Sequence, residues 1–244
     1  MTLTLGEKEI VRAYQGEDIV YPTPIRDGLV LWYDFKGKKN TDAIKNIAED
    51  LSGNGNHGEL ENFGYTEGSG YNQGLEFDGI DDRVNTNLVF DISDKEAFTL
   101  SASVKNKDND LGPINILGTM DYQFLLYQRG ADVGFIGWTQ SGSTVVENFV
   151  PLFTSEPKWH SVAVTYQNNM CALYIDGKLR GSADSEGRLF IKRQDFLYVG
   201  HGYRFDCGNA YYDGEIGSVH IYDKALTDEE IQYNYQIEKA RWGL

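Results

Sequence analysis

Cysteine and proline are scarce in this sequence, and cationic side chains are outnumbered. Two cysteines, Cys171 and Cys207, are too few for the disulfide framework of a small secreted scaffold. A single bond between them stays open. Neither lies in a C-x-x-C pattern or a Cys/His cluster, so no zinc site is expected. Five prolines against 27 glycines leave the turns to Gly, Asn and Asp. Lys and Arg number 22 against 37 Asp and Glu, a net charge of −15. That balance argues against nucleic acid or an anionic membrane as partner, because phosphate binding needs clustered cations. No run approaches the roughly 18 apolar residues of a membrane-spanning helix, so no membrane insertion is expected. The start, MTLTLGEKEIVRAY, lacks the basic and apolar regions of a secretory signal, and export by a cleaved signal is not expected. No repeat recurs at a period of about 20–50 residues, which excludes a solenoid or propeller.

What is abundant is strand-forming text. Aromatic residues make up 13% of the 244, with 16 Tyr against 4 Trp. The densest stretch is Lys158–Ser182, KWHSVAVTYQNNMCALYIDGKLRGS. Trp159–Tyr166 and Cys171–Ile175 are β-prone runs separated by Gln167–Met170, where Asn168 and Asn169 can turn the chain. Asp176-Gly177 reads as a type I′ hairpin turn, because glycine tolerates positive φ. The result is a three-stranded meander.

Further strands are expected at Leu29–Phe35 (buried on both faces), Phe98–Val104, Asn115–Gly118, Tyr122–Gln128, Val133–Trp138, Thr144–Phe149, Leu189–Ile191, Phe196–Val199 and Gly217–Tyr222. Lys36–Glu49 reads as a loop with one helical turn. Thr227-Asp228-Glu229-Glu230 is a capping box, and two or three helical turns should follow through Ile231, Tyr235 and Lys239. Residues 1–24 form a separate piece: a hairpin of Glu9–Tyr14 and Asp18–Tyr21 around Gln15-Gly16-Glu17, then Pro22-Thr23-Pro24 as a stiff linker. Trp32 and Trp159 are assigned to the core.

The meander's W-H-x-V-A-V-T-Y and A-L-Y-I-D-G-K-L resemble the signature hairpin of the laminin-G-like, concanavalin A-like jelly-roll domains. Asp50–Gly58 (DLSGNGNHG), Gly74–Val84 (GLEFDGIDDRV), Leu197–Gly200 (LYVG) and Gly214–Leu226 (GEIGSVHIYDKAL) resemble that family's other segments and stand in its order. The resemblance runs from about Gly28 to Tyr235. It implies an all-β fold: a concanavalin A-like sandwich of two antiparallel sheets over residues 25–244, with a short C-terminal helix and the N-terminal β-hairpin arm. Such sandwiches serve as lectins, carbohydrate-binding modules, adhesion domains and glycosidases alike, so fold does not choose function.

Catalysis finds little support in the residues. The E-x-D-x-x-E or E-x-D-x-E strand pattern of the family's glucanases is absent. The nearest acid sets, Asp78/Asp81/Asp82 and Asp213/Glu215, lie in Gly-containing turns and match positions that are structural in the family. His57, His160, His201 and His220 are dispersed, with no nucleophile elbow. The alternating Asp50, Ser52, Asn54 and Asn56 offer hard oxygen ligands to calcium. The resemblance would enlist Asp50, Asn54 and Asp81 for a structural calcium. The alternative is an Asx-rich turn that satisfies its own backbone. For sugar, the candidate residues are Trp138, Tyr203, Arg204, Tyr211, Tyr212 and Arg129, aromatics and hydrogen-bonding groups at strand ends and in connections. The alternative for each is packing at the sandwich rim.

The text I-V-R-A-Y-Q-G-E-D-I-V-Y-P of the arm resembles a short element, K-x-Y-x-G-x-x-x-V-Y, found near the start of many tail-associated structural proteins of bacteriophages. It reads equally as an edge hairpin on the sandwich. Together these features point to a non-catalytic virion component, tail- or capsid-associated, made in the host cytoplasm and displayed outside the cell. Its expected partners are other virion proteins and host-surface carbohydrate, and a homo-oligomer is left open. The rivals are a purely structural virion subunit without glycan binding and a glycoside hydrolase or other carbohydrate-active enzyme.

Overall fold

A computed structural model describes residues 23–93, 95–107, 114–120, 124–139, 157–185, 187–189, 195–204 and 208–244. It also gives the strand backbone at 4–5, 8–9, 13–15, 18–21, 144–145 and 150–151. The side chains of residues 106 and 204 lie outside this description.

Two antiparallel sheets face each other. Across the first run Ile47–Ala48, Gly58–Glu61, Arg83–Val89, Phe196–Val199, Ile114–Thr119, Phe124–Arg129, Asp132–Trp138 and Thr144–Val145, with Val150–Pro151 also paired to Asp132–Trp138. Across the second run Lys178–Asp184, Met170–Ile175, His160–Gln167, Ala97–Asn106, Asp213–Tyr222, Leu75–Asp78 and Gly70–Tyr71, with Leu29–Asp34 also along Asp213–Tyr222. Side chains alternate between the two faces of a strand, so Val84, Leu126, Phe135, Leu197 and Val199 of the first sheet meet Leu100, Val164, Leu173, Val219 and Ile221 of the second in one core. Phe98 stacks on Tyr166 at 5.2 Å between ring centres and takes the edge of Phe90.

The expected meander is present. Both of its turns have positive φ at the two central residues, Asn168 (52°) and Asn169 (63°), then Asp176 (51°) and Gly177 (72°). That is the type I′ geometry whose twist matches the flanking strands. Leu29–Asp34 is covered on both sides as expected. Leu31 and Tyr33 enter the core, while Trp32 packs outside against Tyr174, Tyr222, Leu226 and Ile231. Trp159 is buried too.

The helix, Asp228–Trp242, is the element that covers this outer face. Thr227 Oγ1 accepts from Glu230 N at 3.3 Å and Glu230 Oε2 accepts from Thr227 N at 3.0 Å, the expected reciprocal cap. It extends past Lys239 because its last turn is anchored. Glu238 Oε2 accepts from Ser103 Oγ (2.6 Å), Trp242 Nε1 (2.8 Å) and Ser218 Oγ. Trp242 lies 4.7 Å from Trp159 between ring centres. Gly243, left-handed at φ 74°, ends it.

One expectation is corrected, and others fall partly outside the described residues. Lys36–Glu49 holds no helical turn; instead Ile47–Ala48 pairs with Gly58–Glu61 as a short edge strand. Leu189 forms only an isolated bridge to Thr139, and residues 190–194 lie outside the description, as do 121–123 and 146–149 at two other expected strands. Of the arm, Ala13–Gln15 pairs with Asp18–Tyr21 and Thr4–Leu5 with Lys8–Glu9, neither joined to a large sheet among the described residues. Cys171 is a free thiol in the core, and burial pushes its pKa up to about 12. Cys207 lies outside the described residues. Among the described residues no helix is long and apolar enough to cross a membrane.

Candidate functional site

The segment Phe196–Val199 shows how one face is made. Leu197 and Val199 are fully buried in the core, so the alternate residues Phe196 and Tyr198 must point outward. Register then aligns Glu59, Asn85, Tyr198, Gly118, Leu125 and Ile136 across five neighbouring strand pairs. The row passes from carboxylate and amide, through an aromatic ring, to aliphatic side chains.

Gly200 ends the strand at φ +76°, where a Cβ would lie 2.2 Å from the Phe77 ring. Only glycine fits that kink. The chain then returns over the sheet as a hairpin, His201–Arg204 paired with Gly208–Tyr211. Its approach depends on missing side chains: a Cβ on Gly118 would meet Leu125 Cδ2 at 2.5 Å and the His201 carbonyl at 3.1 Å. Buried Asn115 fastens it, donating from Nδ2 to the carbonyls of Gly202 (2.9 Å) and Ala210 (3.2 Å).

The hairpin brings four side chains into one stack. The Arg83 guanidinium lies 5.5 Å over the Tyr198 ring. Tyr198 meets His201 edge-on, 5.7 Å between centres at 75°. His201 lies flat on Tyr211, 4.3 Å away and 13° from parallel. Arg83 Nε donates to Glu61 Oε2 at 2.6 Å, and Asn85 Nδ2 donates to Glu61 Oε1 at 3.4 Å. Burial, then the Arg83 charge, lowers the His201 pKa to about 4, so its imidazole is neutral near pH 7. The Tyr198 phenol is raised, first by burial and then by Asp195. Arg83 is partly desolvated, yet Glu61 holds its pKa above the ordinary value.

The sequence-derived sugar candidates divide. Tyr211 belongs to the stack. Tyr203 pairs with Asn209 two residues along the hairpin from His201, hence on the same hairpin face. Arg204 pairs with Gly208, and its side chain lies outside the description. Trp138 packs against Leu125, Tyr127 and Ile136, three strands from Tyr198, or about 14 Å. Arg129 is exposed at the turn of the same two strands. Tyr212 is a correction: it is fully buried against Phe77, 6.0 Å between centres. Neighbouring residues in extended chain point opposite ways, so an outward Tyr211 sends Tyr212 into the core. Sequence reasoning missed Arg83, Asn85, Tyr198 and His201. The alternation of Phe196-Leu197-Tyr198-Val199 is the signal that could have found Tyr198.

The cation candidates also regroup. Asp50 is buried, and both of its oxygens are engaged. Oδ1 accepts from Trp32 N (3.0 Å) and Ser52 N (2.9 Å), and Oδ2 from Ser52 Oγ (2.8 Å) and Asn56 N (2.9 Å). Asn54 Nδ2 ties the loop to the Leu29 and Val30 carbonyls. This is the Asx-rich turn that satisfies its own backbone. Asp81 lies instead with Asp78 and Asp82, carboxylate oxygens within 4.8 Å of one another. Those hard oxygens suit calcium by chemistry, and Asp50 and Asn54 are not among them. Burial first, with Asp78 and Asp81 adding, raises the Asp82 pKa to about 6 against the Ser69 hydrogen bond.

Solved structures of similar fold include the botulinum neurotoxin serotype D binding domain, with a TM-score of 0.61, 18% identity, and coverage of 87% of this chain and 52% of that one. The receptor binding domain of the botulinum neurotoxin C/D mosaic serotype gives 0.62 and 17%, over 90% and 55%. Trypanosoma rangeli sialidase gives 0.60 and 16%, over 88% and 34%. The chain thus spans about half of the toxin domains and a third of the sialidase. At these identities the likeness is one of fold. A search of curated proteins returns no match. The family model of the laminin-G type, described as the concanavalin A-like lectin/glucanases superfamily, matches residues 78–232. That match covers more than half of the sequence and holds the hairpin, the stack and the signature meander, and the chain belongs to the concanavalin A-like lectin/glucanases superfamily.

Proposed function

We propose that this protein is a carbohydrate-binding module that holds a glycan without cleaving it. The observation that carries the reading is the Arg83–Tyr198–His201–Tyr211 stack on the outer face of the first sheet. The partly exposed rings of Tyr198 and Tyr211, with His201 buried between them, would meet the C–H surface of a sugar ring, while Asn85, Arg83 and Glu61 beside them serve hydroxyls. The acid nearest the stack, Glu61, is committed to Arg83 and Asn85, which favours holding over hydrolysis. The similar structures include toxin binding domains, one of them in complex with rat synaptotagmin II, and a sialidase shares the fold.

The setting we propose is a phage virion, tail- or capsid-associated, with the module displayed to host-surface glycan beside other virion proteins. The arm's resemblance to tail-protein starts supports it. A structural calcium, if one serves the module, belongs at Asp78, Asp81 and Asp82. The test is a glycan array with purified protein, with and without EDTA, on wild type and Tyr211→Ala. Hits lost in Tyr211→Ala support the reading. Blank slides, with binding to virion subunits alone, replace it with the structural role; release of reducing sugar from wall polysaccharide replaces it with an enzyme.

A further inference from the structure

We infer that the ligand is an uncharged glycan chain at least two sugars long, laid along Phe196–Val199 with Phe196 and Tyr198 as successive platforms. The inference rests on the carbohydrate-binding reading and adds the ligand's charge, length and direction. Phe196 is 40% exposed although it is a large aromatic residue in the middle of a sheet. Its cross-strand partner Val89 is 42% exposed, which widens the apolar floor. Phe196 and Tyr198 stand two residues apart on one face, about 7 Å along the strand. That is more than one pyranose ring covers.

Charge selects among glycans. Among the described residues, the ionic groups facing this strip are Arg83, Glu61, Glu59 and Asp195. Glu61 pairs with Arg83 at 2.6 Å, and Glu59 stands in the Asn85–Tyr198 row. Asp195 lies beside Tyr198 and accepts from Phe196 N at 2.8 Å. With Arg83 matched, two carboxylates remain among the described residues, on a chain of net charge −15. Within a Debye length of about 8–10 Å they repel a uronate or sialate carboxylate, while their oxygens accept from sugar hydroxyls. The polar edge, Asn85 and Glu59, lies on one side of the aromatic line, while Leu125 and Ile136 on the other side are buried. A chain with one hydroxyl-rich flank would match that arrangement.

The experiment compares cellohexaose, xylohexaose and mannohexaose with hexagalacturonate and sialyllactose, by calorimetry at low and physiological salt. Wild type, Phe196→Ala and Glu59→Lys are used, both substitutions at exposed positions that folding tolerates. The inference expects binding to at least one neutral chain and none to the anionic ones. It expects a loss of roughly tenfold in Phe196→Ala, and anionic binding that rises in Glu59→Lys. Preference for an anionic glycan, or full affinity in Phe196→Ala, overturns the inference and leaves carbohydrate binding standing. Failure of every glycan to bind, while the fold stays intact, overturns both.

Discussion

The imidazole of His201 lies flat on the phenol ring of Tyr211, 4.3 Å between centres, inside the hairpin that crosses the outer sheet face. His201 is fully buried, and its folded-state pKa of about 4 lies below the 6.5 of a free histidine. The unfolded chain therefore binds the extra proton. Stability from this residue is complete above pH 6.5 and is lost as pH falls toward 4, a change of roughly 3 kcal/mol. His220, also buried, is lowered by desolvation and adds a slope of the same sign. His201→Phe keeps an aromatic ring in the stack and removes the proton. Urea titrations at several pH values should show a shallower acid loss in that variant than in wild type.

Asp82 acts in the opposite direction. Its folded pKa of about 6 exceeds the unfolded value of 3.8, so its contribution is present below pH 3.8 and lost as pH rises through 6. Asp82→Asn should remove that part of the profile and steepen the remaining acid loss. If the carboxylates of Asp78, Asp81 and Asp82 take calcium, millimolar calcium at pH 7 should stabilise wild type by roughly 1–3 kcal/mol. Asp81→Asn should abolish the shift, as read by thermal melts with calcium and with EDTA.

Glu238 predicts the behaviour of the helix. One of its oxygens accepts from Ser103, Ser218 and Trp242, all on or under the helix, and Arg241, about one turn further on, pairs with Asp34. Glu238→Ala leaves three donors without their acceptor, a loss of at least about 3 kcal/mol. Urea denaturation should show it, with faster amide exchange concentrated in Asp228–Trp242 while the distant first sheet stays protected.

Gly200 is the position on which the hairpin's placement depends. Alanine there faces both a positive φ and the Phe77 ring. Gly200→Ala should cost several kcal/mol, or prevent folding, because the obstructing atoms are a buried ring. Gly208 is also at positive φ, but a Cβ placed there would meet nothing within 4 Å. Its replacement by alanine should lose only about 1 kcal/mol. Thermal melts of the two variants, side by side, make the comparison.

Local chemistry explains what the sequence revealed. The Asn168-Asn169 and Asp176-Gly177 turns, the Thr227–Glu230 box and the alternation around each core strand are short-range signals. The sandwich and its helix could therefore be read before any contact was known. The site could not, because it is made by register. Tyr198 meets Asn85 and Gly118 only through pairings of residues over 70 positions apart, and His201 reaches it only because Gly200 kinks. Tyr211 and Tyr212 look alike in sequence, and one residue of register decides which faces out. Family resemblance groups Asp50 with Asp81, yet the Asp50 carboxylate is spent on its own turn and Asp81 stands with Asp78 and Asp82.

The most direct test of the central claim is backbone and aromatic chemical-shift mapping on addition of a glycan found by the array. Carbohydrate recognition by the outer face predicts the largest changes at Phe196, Tyr198, His201 and Tyr211, with little change under the helix. Shifts confined to the opposite sheet, or to the Asp78–Asp82 turn, would contradict it.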